Sequence, residues 1–107
     1  SQGDFFFTEE VTYDQAAFDK FLTRDYVPET FKALSTRLEA TTPFNRETAE
    51  EVIRGYAKEV KRKAGEVIHP LRVALTGRSV SPGIFEVVEI LGKDTCCRRI
   101  DSALKKL

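Results

Sequence analysis

The sequence predicts an all-α protein, a multihelical bundle of about six helices. Three observations support that prediction. Apolar residues recur at helical spacing, most clearly Ala49, Val52, Ile53, Tyr56, Ala57 and Val60, which fall on one face of a helix. Nothing alternates with period two over enough residues to demand a strand. Prolines and glycines punctuate the periodic stretches, at Pro28, Pro43, Gly65, Gly77, Gly83 and Gly92, where helices start and stop.

Taken in order, Tyr13, Ala17, Phe18, Phe21 and Leu22 share one face of a first helix that Asp14 is placed to cap. Val27-Pro28-Glu29 opens a second, with Pro28 in the first turn and Phe31, Leu34 and Leu38 as its stripe. It ends at Thr41-Thr42-Pro43, because the residue before a proline avoids the helical region. Asn45 caps the third helix, and Glu47 in its first turn complements the dipole. That helix closes in Lys58, Lys61, Arg62 and Lys63, then Ala64-Gly65; these cations suit either the helix dipole or an RNA backbone.

The fourth helix is predicted to start at His69-Pro70, to carry one arginine, Arg72, in an apolar run, and to stop at Gly77. Ser81 caps the fifth, Pro82 takes its first position, and Gly92 ends it. A sixth helix follows, capped by Asp94 or Thr95. Cys97, Ile100, Leu104 and Leu107 face inward there, and Arg98, Arg99, Lys105 and Lys106 decorate the other sides. The chain has no repeat, low-complexity segment or long linker. The elbow between Gly77 and Gly83, flanked by a guanidinium, looks like a recognition surface more than a catalytic one.

A chain of 107 residues fits one domain, and its 41% hydrophobic and 32% charged content describes a soluble globular protein. No apolar run approaches the roughly 20 residues that span a membrane. The start has no signal-peptide character. Its abrupt Phe5-Phe6-Phe7, in a chain without methionine, suggests a piece of a longer protein with one or more added residues in front. Charge is unevenly spread: residues 1–54 hold 11 acidic and 6 basic side chains, −5, while residues 55–107 hold 6 and 11, +5. The basic half attracts anions, nucleic acid included, although many charged faces are merely solvated. Cys96 and Cys97 are neighbours, with Cα atoms about 3.8 Å apart against a usual disulfide span of about 4.4 Å or more. They read as reduced, cytosolic thiols, and no second pair completes a zinc site.

Catalytic chemistry is missing. His69 stands alone, without a cysteine or carboxylate at metal spacing, and suits a structural or capping role. The glycines are punctuation, with no phosphate-binding loop. Ser79 and Ser81 lack an orienting acid and a signalled oxyanion hole. Glu86 and Glu89 suit a solvated helix face.

At Leu71-Arg72-Val73-Ala74-Leu75-Thr76-Gly77 and Ser81-Pro82-Gly83-Ile84-Phe85-Glu86-Val87-Val88-Glu89-Ile90-Leu91-Gly92-Lys93, the chain resembles the C-terminal end of bacterial-type glutamyl-tRNA synthetases. A last basic helix like Arg98-Arg99-Ile100-Asp101-Ser102-Ala103-Leu104 follows in that family, and a looser similarity reaches back to the Phe5-Phe6-Phe7 opening. The resemblance implies the distal helical anticodon-binding domain of a class I synthetase, of the α-helical cage type. It divides the chain into a lead-in, 1–12, and the domain, 13–107.

The family's catalytic motifs, a His-x-Gly-His-like run and a Lys-Met-Ser-Lys-Ser-like loop, are absent, so this piece is expected neither to activate glutamate nor to charge tRNA. The parent implied is an ATP- and magnesium-dependent glutamate–tRNA ligase, while no cofactor is expected in this chain. The implied partners are glutamate tRNA, read at its second and third anticodon bases, and the remainder of the synthetase, in a cytoplasmic monomer without membrane contact. Position by position, Arg72 matches an arginine that is a candidate anticodon contact. Ser81 matches a threonine or serine beside the bases, and Pro82 and Ile84 match residues that pack on them. Gly77 and Gly83 keep the loop close, and Arg78 lies where the family varies.

RNA sequence is read mostly on splayed bases, by stacking, apolar contact and hydrogen bonds to base edges. An arginine's flat guanidinium and the free N–H groups of a helix start suit that task. From the residues alone, Arg72 could equally pair with a carboxylate, Ile84 could be core, and Ser81 could simply cap its helix. The competing function is a helical protein-interaction module with no RNA role.

Overall fold

The computed structural model describes residues 11–107. Of the lead-in expected over 1–12, only Val11 and Thr12 fall among them; the rest, with the Phe5-Phe6-Phe7 opening, lies outside the described residues. Six helices and no strand occur among the described residues.

The first, α1, is Gln15–Ala17, and it passes directly into a π-helical turn, Phe18–Leu22. Asp14 caps it as expected, its carboxylate accepting from the Ala17 N–H at 3.0 Å. The expected regular helix is thus a correction. The wider π turn brings Ala17 and Leu22, five residues apart, into the core together, while Phe18 and Phe21 stay half-buried.

Helix α2, Val27–Glu39, starts with Pro28 in its first turn and buries Val27, Phe31, Leu34 and Leu38. Helix α3, Arg46–Glu59, is capped by Asn45, whose side chain accepts from Thr48 N–H at 2.9 Å while Asn45 N–H reaches back to the Thr48 hydroxyl at 3.0 Å. At its other end, Lys61 takes the left-handed conformation (φ 61°). The Arg62 N–H bonds Ala57 C=O at 2.8 Å and the Lys61 N–H bonds Lys58 C=O at 3.1 Å, which satisfies two orphan carbonyls and turns Arg62 away from the axis.

Helix α4, Ala64–Thr76, is the centre of the bundle. Val67, Pro70, Leu71, Val73, Ala74 and Leu75 are all buried, so it is apolar almost all round, as a central helix must be. Its start corrects the sequence reading: Ala64-Gly65 opens this helix rather than ending the third, and Pro70 lies inside it. An internal proline leaves the carbonyl four residues back without a partner. That carbonyl belongs to Glu66, and the Tyr26 hydroxyl donates to it at 2.8 Å. A side chain from the start of α2 therefore satisfies the orphan carbonyl and offsets part of the cost that made the sequence look like a helix start. Gly77 then ends α4 in the left-handed region (φ 79°), as expected.

Helices α5, Ile84–Leu91, and α6, Lys93–Lys105, follow. The α6 helix packs along α2, α5 packs on α3, and α4 touches α3, α5, α6 and the π turn. Neither Asp94 nor Thr95 caps α6: Gly92 occupies the cap and Asp94 falls in the first turn. The inner face of α6 is Cys96, Cys97, Ile100 and Ala103; Leu104 is half-buried and Leu107 exposed. Arg99 is not mere decoration, because its Nη1 donates to the Leu75 C=O near the end of α4 at 2.7 Å. Ser35 Oγ joins α2 to α6 through Asp101 at 2.8 Å.

Both cysteines are free. Burial first, then the neighbouring Cys97 thiol, push the Cys96 thiol up to about 12, against a smaller opposing pull from Arg99. Burial also raises Cys97, helped by the charges of Glu39 and Asp101. Neutral thiols at ordinary pH act as small hydrophobes, which suits their place in the core.

Candidate nucleic-acid interface

A partly uncovered stripe of α4 is written in its spacing. Gly65, His69, Arg72 and Thr76 recur at four, three and four residues, and all four keep some exposure, while Ala64, Glu66 and Ile68 are half-buried nearer the helix start. Arg72 is therefore directed along the surface towards the loop that follows Gly77. Its Nε donates to Ser81 Oγ at 2.9 Å, and its Nη1 lies 3.3 Å from His69 Nδ1. Among the described residues no carboxylate stands within ion-pair distance of it. Ser81 and His69 hold the guanidinium in place.

Ser81 departs from its expected role. Gly83, not Ser81, occupies the cap of α5, and no side chain caps that helix. Ser81 Oγ instead accepts from Arg72 and donates to the Pro82 C=O at 2.8 Å. Pro82 therefore precedes the helix rather than opening it. Pro82, Gly83 and Arg78 are exposed, and Ser79 and Ser81 half-buried.

Ile84 is only 3% exposed. Of the two roles left open for it, its side chain takes the core one, and what it offers outward is the N–H of a helix start. Gly77 is buried against the entering chain. Its carbonyl accepts from the Asp14 N–H at 2.7 Å, and a Cβ there would overlap the Thr12 carbonyl oxygen.

Three residues escaped the sequence reading. The Thr76 hydroxyl donates to Arg72 C=O at 2.8 Å and accepts from Arg78 N–H at 3.1 Å, fastening the helix end to the loop. His69 flanks Arg72 and stacks on Phe21, with ring centroids 5.4 Å apart at 26°. Val80 stands 81% exposed at the tip, where Arg78, Ser79 and Asp14 line a shallow open hollow with it. Signals existed for each: a threonine four after Arg72 that can bond back to it, a histidine three before it, and an apolar residue isolated in a polar loop.

Bases splayed from RNA need flat cations, apolar edges and oriented N–H groups. Arg72, Val80, Pro82 and the start of α5 offer these within one elbow. Among the described residues no group of three or more His, Cys, Asp and Glu could hold a metal ion. No helix among them is long and apolar enough to cross a membrane.

Comparison with known proteins agrees with this geometry. The family described as "Anticodon binding domain" matches residues 1–104. The glutamate–tRNA ligase 2 of Rubrobacter xylanophilus is 38% identical over 103 residues, covering 96% of this chain and 21% of that protein. The glutamate–tRNA ligase of Syntrophobacter fumaroxidans is 42% identical over 101 residues, 94% of this chain and 21% of its own length. This chain thus spans about a fifth of the relatives it matches. A glutamate tRNA ligase from Elizabethkingia meningosepticum, crystallised in complex with its amino acid, superposes with a TM-score of 0.86 at 26% identity, over 99% of this chain and 21% of that one. With a family match running nearly end to end and a shared helical fold, the chain belongs to the C-terminal anticodon-binding domains of glutamate–tRNA ligases.

Proposed function

We propose that this domain reads the second and third anticodon bases of glutamate tRNA and positions that tRNA for aminoacylation by a catalytic domain outside this chain. The observation that carries the proposal is Arg72: a guanidinium at an exposed elbow, aimed by Ser81 and His69 and paired with no carboxylate among the described residues. Arg72 would stack on a base or grip its edge with two donors. Pro82 and Val80 would supply apolar contact, and Gly83 lets backbone approach the RNA. The first N–H groups of α5, beginning with that of Ile84, would face base-edge or phosphate acceptors. Arg78, on the same loop, is suited to a phosphate.

ATP and magnesium belong in this proposal to the catalytic region of the parent enzyme. The described residues carry neither a metal-binding cluster nor a glycine-rich phosphate loop that would fit them. The parent is proposed to work as a cytoplasmic monomer with the rest of the synthetase as this domain's standing partner.

A gel shift tests the reading, comparing glutamate tRNA with an anticodon-swapped version on this chain and on the full-length synthetase. Preferential, salt-dependent binding of the cognate tRNA is expected. Arg72→Ala is expected to weaken cognate binding by about 1–3 kcal/mol and to narrow the preference. Equal affinity for both tRNAs, or none for either, would overturn the proposal and favour a protein-interaction role.

A further inference from the structure

The elbow does not end at His69. The His69 ring stacks on Phe21 of the π turn. The Lys20 ammonium and the Arg24 guanidinium both sit 5.3 Å from the Phe21 ring centroid. Arg24 Nη1 reaches the Tyr26 hydroxyl at 3.4 Å, and the Arg62 guanidinium lies over the Tyr26 ring at 3.8 Å. Contacts thus run without a gap from Arg72 across three elements to the end of α3, and cations alternate with aromatic rings along the way.

We propose that Lys20, Arg24 and Arg62, braced on Phe21 and Tyr26, grip the phosphodiester backbone of the RNA beside the bases read at the elbow. The inference rests on the RNA-reading function proposed above and extends it to a second surface. The rings are already faced by cations and by His69, so they serve as supports rather than as platforms for bases. A cation lying on a ring is attracted to its face and loses freedom before any ligand arrives, while its outward donors stay available. Lys20 and Arg24 have no ion-pairing carboxylate among the described residues, and nearby Asp19 is held by Gln15 Nε2 at 2.8 Å. Arg62 is shared with Glu66 at 3.6 Å, which makes it the weakest of the three. Such an array recognises a line of negative charge and carries no base code. A phosphate backbone has that chemistry.

The test uses the full-length synthetase and titrates glutamate tRNA and its anticodon-swapped version at several salt concentrations. Lys20→Ala with Arg24→Ala is expected to weaken both RNAs about equally, roughly tenfold at low salt, and to reduce the slope of log affinity against log salt by about 2. Charge reversal, Lys20→Glu with Arg24→Glu, should deepen the loss, and Lys93→Ala at the α5–α6 junction should leave binding unchanged. Thermal melts of each variant are expected to match that of the unaltered enzyme. Selective cognate binding by the unaltered enzyme, together with unchanged affinity and slope in both double variants, would overturn this inference and leave the elbow's function standing. So would a loss confined to the cognate tRNA, which would make the surface a base reader, or a loosened contact with another part of the synthetase at unchanged RNA binding. If the unaltered enzyme shows no cognate preference, the failure lies with the elbow instead.

Discussion

Two helix starts in this molecule carry the same kind of signal and use it differently. At α3, Asn45 turns its side chain onto Thr48 N–H and closes a reciprocal box. At α5, Ser81 precedes the helix with the same capping chemistry, yet Gly83 takes the cap and the serine hydroxyl turns to Arg72. Every local preference favours capping, since an uncapped start leaves N–H groups without partners. A serine freed from that task, beside an uncapped helix and an arginine with no ion-pairing carboxylate among the described residues, fits the RNA-reading role proposed for the elbow. The α3 start serves the fold alone.

The comparison can be broken at the elbow's hinge point first. Gly77→Ala forces a left-handed alanine, costing about 1–2 kcal/mol, and drives its Cβ into the Thr12 carbonyl. A total loss of about 3 kcal/mol is expected in denaturant titration, because that neighbour is backbone and cannot step aside. Asn45→Ala should lower stability by about 1 kcal/mol and leave the preference for cognate tRNA unchanged. Ser81→Ala should do the reverse. Melting should fall by the equivalent of about 0.5 kcal/mol or less, since no cap is lost. Discrimination between cognate and anticodon-swapped tRNA should narrow several-fold, since Arg72 loses its tether. If Ser81→Ala behaved like Asn45→Ala, the distinction between the two helix starts would vanish.

Much of the bundle was legible because its signals are local. The stripes of α2 and α3, the caps Asp14 and Asn45 and the stops at Gly77 and Gly92 depend on residues close in sequence, and all of them hold. Long-range partners were not legible. Pro70 sits inside a helix where the Tyr26 hydroxyl, forty residues from Glu66 in sequence, takes over the Glu66 carbonyl. The π turn packs against α4, and Arg99 turns inward to a carbonyl of another helix. At the elbow, Arg72 was visible as a lone charge in an apolar run, while Ser81 and Pro82 were read one step too early, as the cap and first residue of a helix that Gly83 caps. The roles of Thr76, His69 and Val80 were not visible, because they come from the partly exposed side of α4 and from the loop that folds back beside it.

Thr76 has a further consequence. Its single hydroxyl ties the last turn of α4 to the peptide of Arg78, while Ser81 tethers Arg72 from the loop's other arm. If RNA docks there as proposed, a surface so preorganised would give up little motion, avoiding an ordering cost of about 0.5–1.5 kcal/mol for each rotamer-rich side chain. Free and occupied forms of the elbow should then nearly superimpose, and selectivity would come from rejecting misfits rather than from reshaping around them.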